Sequence, residues 1–136
     1  MRVVIDTNVL LSALLSDLGP PHTIFRAWRA GKFEVVTSQA QLDELRRASR
    51  YPKFKANLQP HRVGTMINNL QSAVVLERLP SGEVAADPFD AFLLGMASAG
   101  DADYLVTGDY RAGLLQLGHS GRTRIVTPAK FCSEVL

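Results

Sequence analysis

Short apolar runs separated by helix-patterned stretches constrain this chain most: Val3-Val4-Ile5, Phe33-Glu34-Val35-Val36, Val74-Val75-Leu76, Tyr104-Leu105-Val106 and Arg124-Ile125-Val126. Each run reads as a strand, and several are apolar at consecutive positions, as strands covered on both faces are. Between them lie helical patterns. Val9 to Leu15 is one; a turn at Gly19-Pro20-Pro21 leads to a second through Ile24, Phe25 and Trp28, which stops at Gly31. Ser38 is placed to cap a third helix carrying Leu42, Glu44 and Leu45. Pro52 ends that region, and Pro60 opens a helix with Val63, Ile67 and Leu70 on one face. After a loop over 78–86, Asp87-Pro88-Phe89-Asp90 has the form of a helix start, with Asp at the cap and Pro in the first position. A brief helix near Leu114 and a closing helix from Pro128 to Leu136 complete the chain. The alternation predicts βα units: an α/β, three-layer fold with a mostly parallel five-stranded sheet between helices.

A chain of 136 residues suits one domain, 1–136, and can bury a core without disulfides or a structural metal. Hydrophobic residues make up 46% and charged residues 21%, which excludes a disordered chain. The net charge of +2 permits a nucleic-acid partner without requiring one. The single cysteine, Cys132, has no internal partner, which suits a reducing cytoplasm. Asp6 and Asn8 interrupt the apolar start too early for a signal peptide, and no apolar stretch is long enough to cross a membrane.

The chemistry lies in the acids. In open parallel sheets the functional crevice opens beyond the carboxyl ends of the strands. Asp6 follows the first strand and Asp109 the fourth, so if those strands are neighbours, both face one crevice. Asp90, in the first turn of the helix before the fourth strand, can lean over the same edge, and Glu44 lies on the helix after the second strand. Two carboxylates ~4 Å apart repel by about 4 kcal/mol at an effective dielectric of 20. A divalent cation removes that cost. Donors that are all oxygen favour Mg²⁺ or Mn²⁺ over Zn²⁺. Such cations suit phosphodiester hydrolysis, where they activate water, hold the phosphate and stabilise the leaving oxygen.

Each acid also has a plainer reading. Asp6 could cap the following helix, Asp109 could be a turn residue after Gly108, and Glu44 could be a solvated helix residue. Asp87 and Asp90 could both serve the positive end of one helix. It is the joint placement that singles the set out.

With those residues in view, the chain resembles the PIN-domain family. Val-Ile-Asp-Thr-Asn-Val-Leu-Leu-Ser-Ala (4–13) is similar to the opening motif of that family. Ser38 with Glu44-Leu45 is similar to its second, Asp-Pro-Phe-Asp-Ala-Phe-Leu (87–93) to its third, and Ala-Asp-Tyr-Leu-Val-Thr-Gly-Asp (102–109) to its fourth. The resemblance covers nearly the whole chain, in order; the first and last motifs are the specific ones. The spacing is most like the branch related to the VapC toxins of toxin–antitoxin pairs. It implies a metal-dependent endoribonuclease in which Asp6, Glu44, Asp90 and Asp109 bind Mg²⁺ or Mn²⁺ and carry catalysis. Asn8, Thr107 and Ser38 would orient them. A cognate antitoxin protein and a homodimer are implied as partners. One departure concerns the third motif, where that branch often carries adjacent acids. Here Asp87 and Asp90 are three apart, and Asp90, nearer the Phe-Leu pair, is the preferred ligand.

Arg46, Arg47, Arg50, Lys53 and Lys55 fall within ten residues without an acid among them. Beside a metal cluster, Arg46, Arg47 and Arg50 would hold an RNA backbone; otherwise they are a solvated helix face. Competing assignments fit less well. A haloacid-dehalogenase-like phosphatase needs a second aspartate where Asn8 stands, and a receiver domain needs one where Leu76-Glu77-Arg78 stands. A catalytically inactive RNA-binding module of the same fold is the remaining alternative, and the complete set of four acids speaks against it.

Overall fold

The computed structural model describes residues 1–76, 88–108 and 113–136, with side chains described for all of these except 88–90. In chain order the elements are β1 (Arg2–Ile5), α1 (Thr7–Leu15), α2 (Pro20–Arg29), β2 (Glu34–Ser38), α3 (Gln39–Ala48), α4 (Pro52–Lys55), α5 (Pro60–Gln71) and β3 (Val74–Leu76). There follow α6 (Pro88–Ala99), β4 (Tyr104–Val106), α7 (Leu114–Leu117), β5 (His119–Ser120), β6 (Thr123–Val126) and α8 (Pro128–Val135).

One sheet runs in the order β3-β2-β1-β4-β6-β5, parallel except for the terminal pair β5–β6. Alternation along each strand divides the core in two. Val3, Ile5, Val35, Val106 and Val126 point to one face, beneath α1, α2, α3, α5 and α8. Val4, Val36, Leu105 and Ile125 point to the other, beneath α6 and α7. The result is the expected three-layer α/β/α architecture with both faces of the sheet buried, which is why the strands read as unbroken apolar runs.

Three local expectations change. The sheet has six strands, not five: the extra one, β5, is two residues long, too short for any alternation to register. It exists because Gly121, at φ 57, turns the chain so that Ser120 faces Thr123. Pro20 and Pro21 are not a turn but the first residues of α2, where a missing N–H costs nothing. Pro52 likewise opens the short helix α4 rather than only ending what precedes it. The expected loop over 78–86 and the cap at Asp87 lie outside the described residues.

At the close of α6, Gly100 seats the chain directly on the sheet. A Cβ at that position would lie 2.5 Å from one methyl of buried Val36 and 3.0 Å from the other. Only glycine permits that approach.

Candidate active site

The strand order reverses between β1 and β4. The chain leaving β1 enters α1 on one face of the sheet, and α7, after β4, packs on the other. A crevice at such a reversal is where open α/β sheets place their ligands. Asp6 sits there, one residue beyond β1.

The register explains how Asp6 is held. Ile5 is paired with Val106, so Asp6 and Thr107 leave the sheet side by side. The Asp6 amide donates to the Val106 carbonyl at 2.9 Å, and the Thr107 amide donates to the Val126 carbonyl at 3.0 Å. The Thr107 hydroxyl then donates to Asp6 Oδ2 at 2.8 Å. Oδ1 accepts from the Asn8 amide at 3.1 Å, making Asp6 the N-cap of α1. The plainer reading of Asp6 as a cap is therefore true, and Asp6 also receives the hydroxyl of the neighbouring strand. These two bonds orient the carboxylate. Asp6 is 1% exposed and lies at the base of a groove of about 540 Å³ that is also lined by Asn8, Ser12, Gly108, Pro21 and Pro128.

The helix α3 is tied to the same edge by a residue that sequence reasoning passed over. Gln41 is fully buried. Its Nε2 donates to the Ile5 carbonyl at 2.6 Å, with the Thr7 hydroxyl at 3.4 Å, while its Oε1 accepts from the Thr37 hydroxyl at 2.6 Å. One side chain thus joins β1, β2 and α3. Ser38 caps α3 by accepting from the Gln41 amide at 3.0 Å, which fixes where that helix begins. Glu44 follows one turn after Gln41. It is 29% exposed and accepts from Arg47 Nη2 at 2.9 Å. That bond and the attraction of the carboxylate keep the Arg47 guanidinium more firmly protonated than usual.

Asp90 lies in the first turn of α6, which is described here by its backbone. The far end of that helix is fixed by Arg2, whose Nη1 donates to the Gly100 carbonyl at 3.1 Å. Arg2 begins β1, so α6 ends at the edge where strands start. A helix of 12 residues spans about 18 Å, enough to cross the sheet, so α6 begins at the edge where strands end. Asp90 and Asp6 accordingly belong to the same edge. Asp109 follows Gly108 in sequence and lies outside the described residues, as does Asp87. Among the described residues, then, Asp6, Asn8, Ser38 and Thr107 are placed at this edge by named contacts, whereas Glu44 is linked to it only through the helix it shares with Gln41.

The basic residues divide. Arg47 is engaged by Glu44, and Arg46 reaches Asp43 at 3.4 Å. Arg50 makes no ion pair among the described residues.

A family profile described as PIN domain matches residues 2–111. The chain belongs to the PIN-domain family, whose members share the three-layer α/β/α fold and are generally nucleases that use divalent metals. The match ends before β5, β6 and α8, yet β6 completes the parallel sheet beside β4. No curated protein matches the chain significantly.

Proposed function

We propose that this chain is a metal-dependent endoribonuclease and the toxin of a toxin–antitoxin pair. The observation that carries the nuclease reading is the Asp6 carboxylate, buried at the strand-order reversal and oriented by the Asn8 amide and the Thr107 hydroxyl. A hard divalent cation suits this donor: an anionic oxygen, pre-oriented, at the base of an open groove. Asp6, Glu44, Asp90 and Asp109 would hold Mg²⁺ or Mn²⁺. Such a cation would supply activation of water and neutralisation of the phosphate and of the leaving oxygen. Thr107 and Asn8 orient Asp6, and Gln41 ties α3, which bears Glu44, to the end of β1. Arg46, Arg47 and Arg50 would attract the RNA backbone. Hydrolysis adds water across the bond between phosphorus and the 3′ oxygen, leaving a 5′-phosphate and a 3′-hydroxyl.

The toxin reading rests on the resemblance of the motif spacing to the VapC-related branch and on one surface feature. Leu18, between α1 and α2, is 83% exposed, and beside it Leu14, Phe25, His22 and Arg62 surround a small cavity. An antitoxin helix would place apolar residues there, and an arginine from it could pair bidentately with the acid cluster. A homodimer of the nuclease is part of the same proposal. No helix among the described residues is long and apolar enough to cross a membrane.

The test is incubation of purified protein with structured and unstructured RNAs in Mg²⁺ or Mn²⁺, with mapping of the cut ends. Cleavage that stops in excess EDTA and yields 5′-phosphates is expected. Undiminished cleavage in EDTA overturns the mechanism. Expression in the native host without the neighbouring gene product should be toxic, and Asp6→Asn should relieve it.

A further inference from the structure

A second groove of about 540 Å³ lies between α3, α4 and α5, away from Asp6. Its apolar lining includes Leu58, Val63 and Ile67, and its cations are Arg46, Arg50 and Lys55. No acid lines it. Arg50 and Lys55 have no ion pair among the described residues, and Arg46 shares only the 3.4 Å contact with exposed Asp43. Cations that are not neutralised locally, set around an apolar hollow, call for a ligand that is anionic along its length and carries flat apolar groups. α3 bears both Glu44 and Arg46, and Arg50 follows two residues after its end, so the groove shares a helix with the candidate active site.

We infer that this groove is a binding site for an unpaired nucleotide of the RNA substrate, the base entering the hollow and the flanking phosphates meeting Arg50 and Lys55. The inference rests on the nuclease reading and deepens it. A base in a duplex is stacked and cannot enter a hollow, whereas an unpaired base can be splayed out and covered by aliphatic side chains and arginine planes. The site therefore selects single-stranded or looped RNA. It also explains why Arg47, bound to Glu44, differs in role from Arg46 and Arg50.

Gly64 provides a clean probe. It lines the groove from the middle of α5, and a Cβ there meets open space. Gly64→Leu fills the hollow, and replacing a mid-helix glycine favours the helix, so a thermal melt should show the fold intact. Binding is read by fluorescence anisotropy in an Asp6→Asn background, without cleavage. The probes are a labelled single-stranded adenosine-uridine oligomer, its abasic counterpart and a blunt duplex of the same length. Gly64→Leu should weaken the single strand about tenfold, the size of one lost stacking contact, and leave the abasic strand and the duplex unchanged. Lys55→Ala should weaken the single strand and the abasic strand alike and lower the magnitude of the salt slope by about 0.7. Equal affinity of Gly64→Leu and its parent for the single strand overturns the site. So does loss of binding to an amphipathic Glu/Leu peptide with RNA affinity unchanged, which would make the groove a protein-docking surface. Cleavage by the wild type that Asp6→Asn removes, with RNA affinity indifferent to position 64, would sink the groove and leave the nuclease standing. The reverse, Gly64-sensitive binding by a protein that never cleaves, would uphold the groove and sink the nuclease.

Discussion

The two edges of the sheet each hold an aspartate, and they hold it differently. At the edge where strands begin, Asp103 accepts from the Arg2 amide at 2.9 Å and pairs with Arg122. Its own backbone joins Arg2 and Arg124. The Arg2 amide draws its carboxyl below the ordinary carboxylate range, partial burial works against this, and Arg122 adds to it. A guanidinium here supplies the charge that the acid needs. At the edge where strands end, the donors described for Asp6 are an amide and a hydroxyl, both neutral. They orient the carboxylate. The first arrangement ties strands together; the second aims a carboxylate at the edge where the candidate site lies. Depth in the fold does not tell the two roles apart, since Asp6 is the more buried, but the chemistry of the donors does.

The largest effect should come from exchanging the two acids' amides. Asp6→Asn should reduce RNA cleavage to background while the protein stays as stable as wild type, because asparagine Oδ1 can still accept from the Asn8 amide and its Nδ2 can donate to the Thr107 hydroxyl, reversing that bond. Asp103→Asn should leave cleavage per folded molecule intact and cost about 1 kcal/mol in urea denaturation. If both variants lose activity equally, or neither does, the contrast between the edges is wrong. Gly100→Ala should cost about 1–3 kcal/mol through overpacking against Val36, again with activity per folded molecule unchanged. A stable Gly100→Ala protein would mean that α6 can lift from the sheet.

Gln41→Leu sharpens the contrast from the other side. It strips the Ile5 carbonyl and the Thr37 hydroxyl of a buried partner, at about 1–3 kcal/mol. Unlike Gly100→Ala, it should also lower kcat at saturating metal, because it loosens α3 and with it Glu44. Normal kcat in folded Gln41→Leu would make Gln41 a packing residue. The smallest effect is on pH. Asp103 has its pKa lowered on folding, so its stabilisation is complete above the ordinary carboxylate value and is lost as pH falls through the folded one. Asp103→Asn should therefore flatten the acid limb of a stability–pH curve while leaving its neutral region parallel to wild type. An unaltered acid limb would show that Asp103 is not held as described.

Much of this was legible beforehand, for identifiable reasons. Strands buried on both faces write themselves as apolar runs, so β1, β4 and β6 stand out, and a polar residue that ends such a run marks an edge, as Asp6 does. Ser38 is a cap in sequence and in structure because its hydroxyl acts on the amide three residues later. Gln41 was illegible because a glutamine in an amphipathic helix has the same signature whether it meets water or the end of a neighbouring strand. The basic strip read as one surface, since sequence proximity cannot show that Arg47 turns toward Glu44 while Arg46 and Arg50 border a groove. Strand neighbourhood was likewise only conditional. That β1 lies against β4 depends on helices packing to opposite faces, a property of the whole chain.

Such distance along the chain has a bearing on how the protein comes into being. The hydroxyl that orients Asp6 lies 101 residues further along the chain. The residue that presents it, Thr107, is itself bonded through its amide to Val126. Contacts of such long range form late in folding. A chain under synthesis therefore carries the acid well before it carries the hydroxyl that aims it.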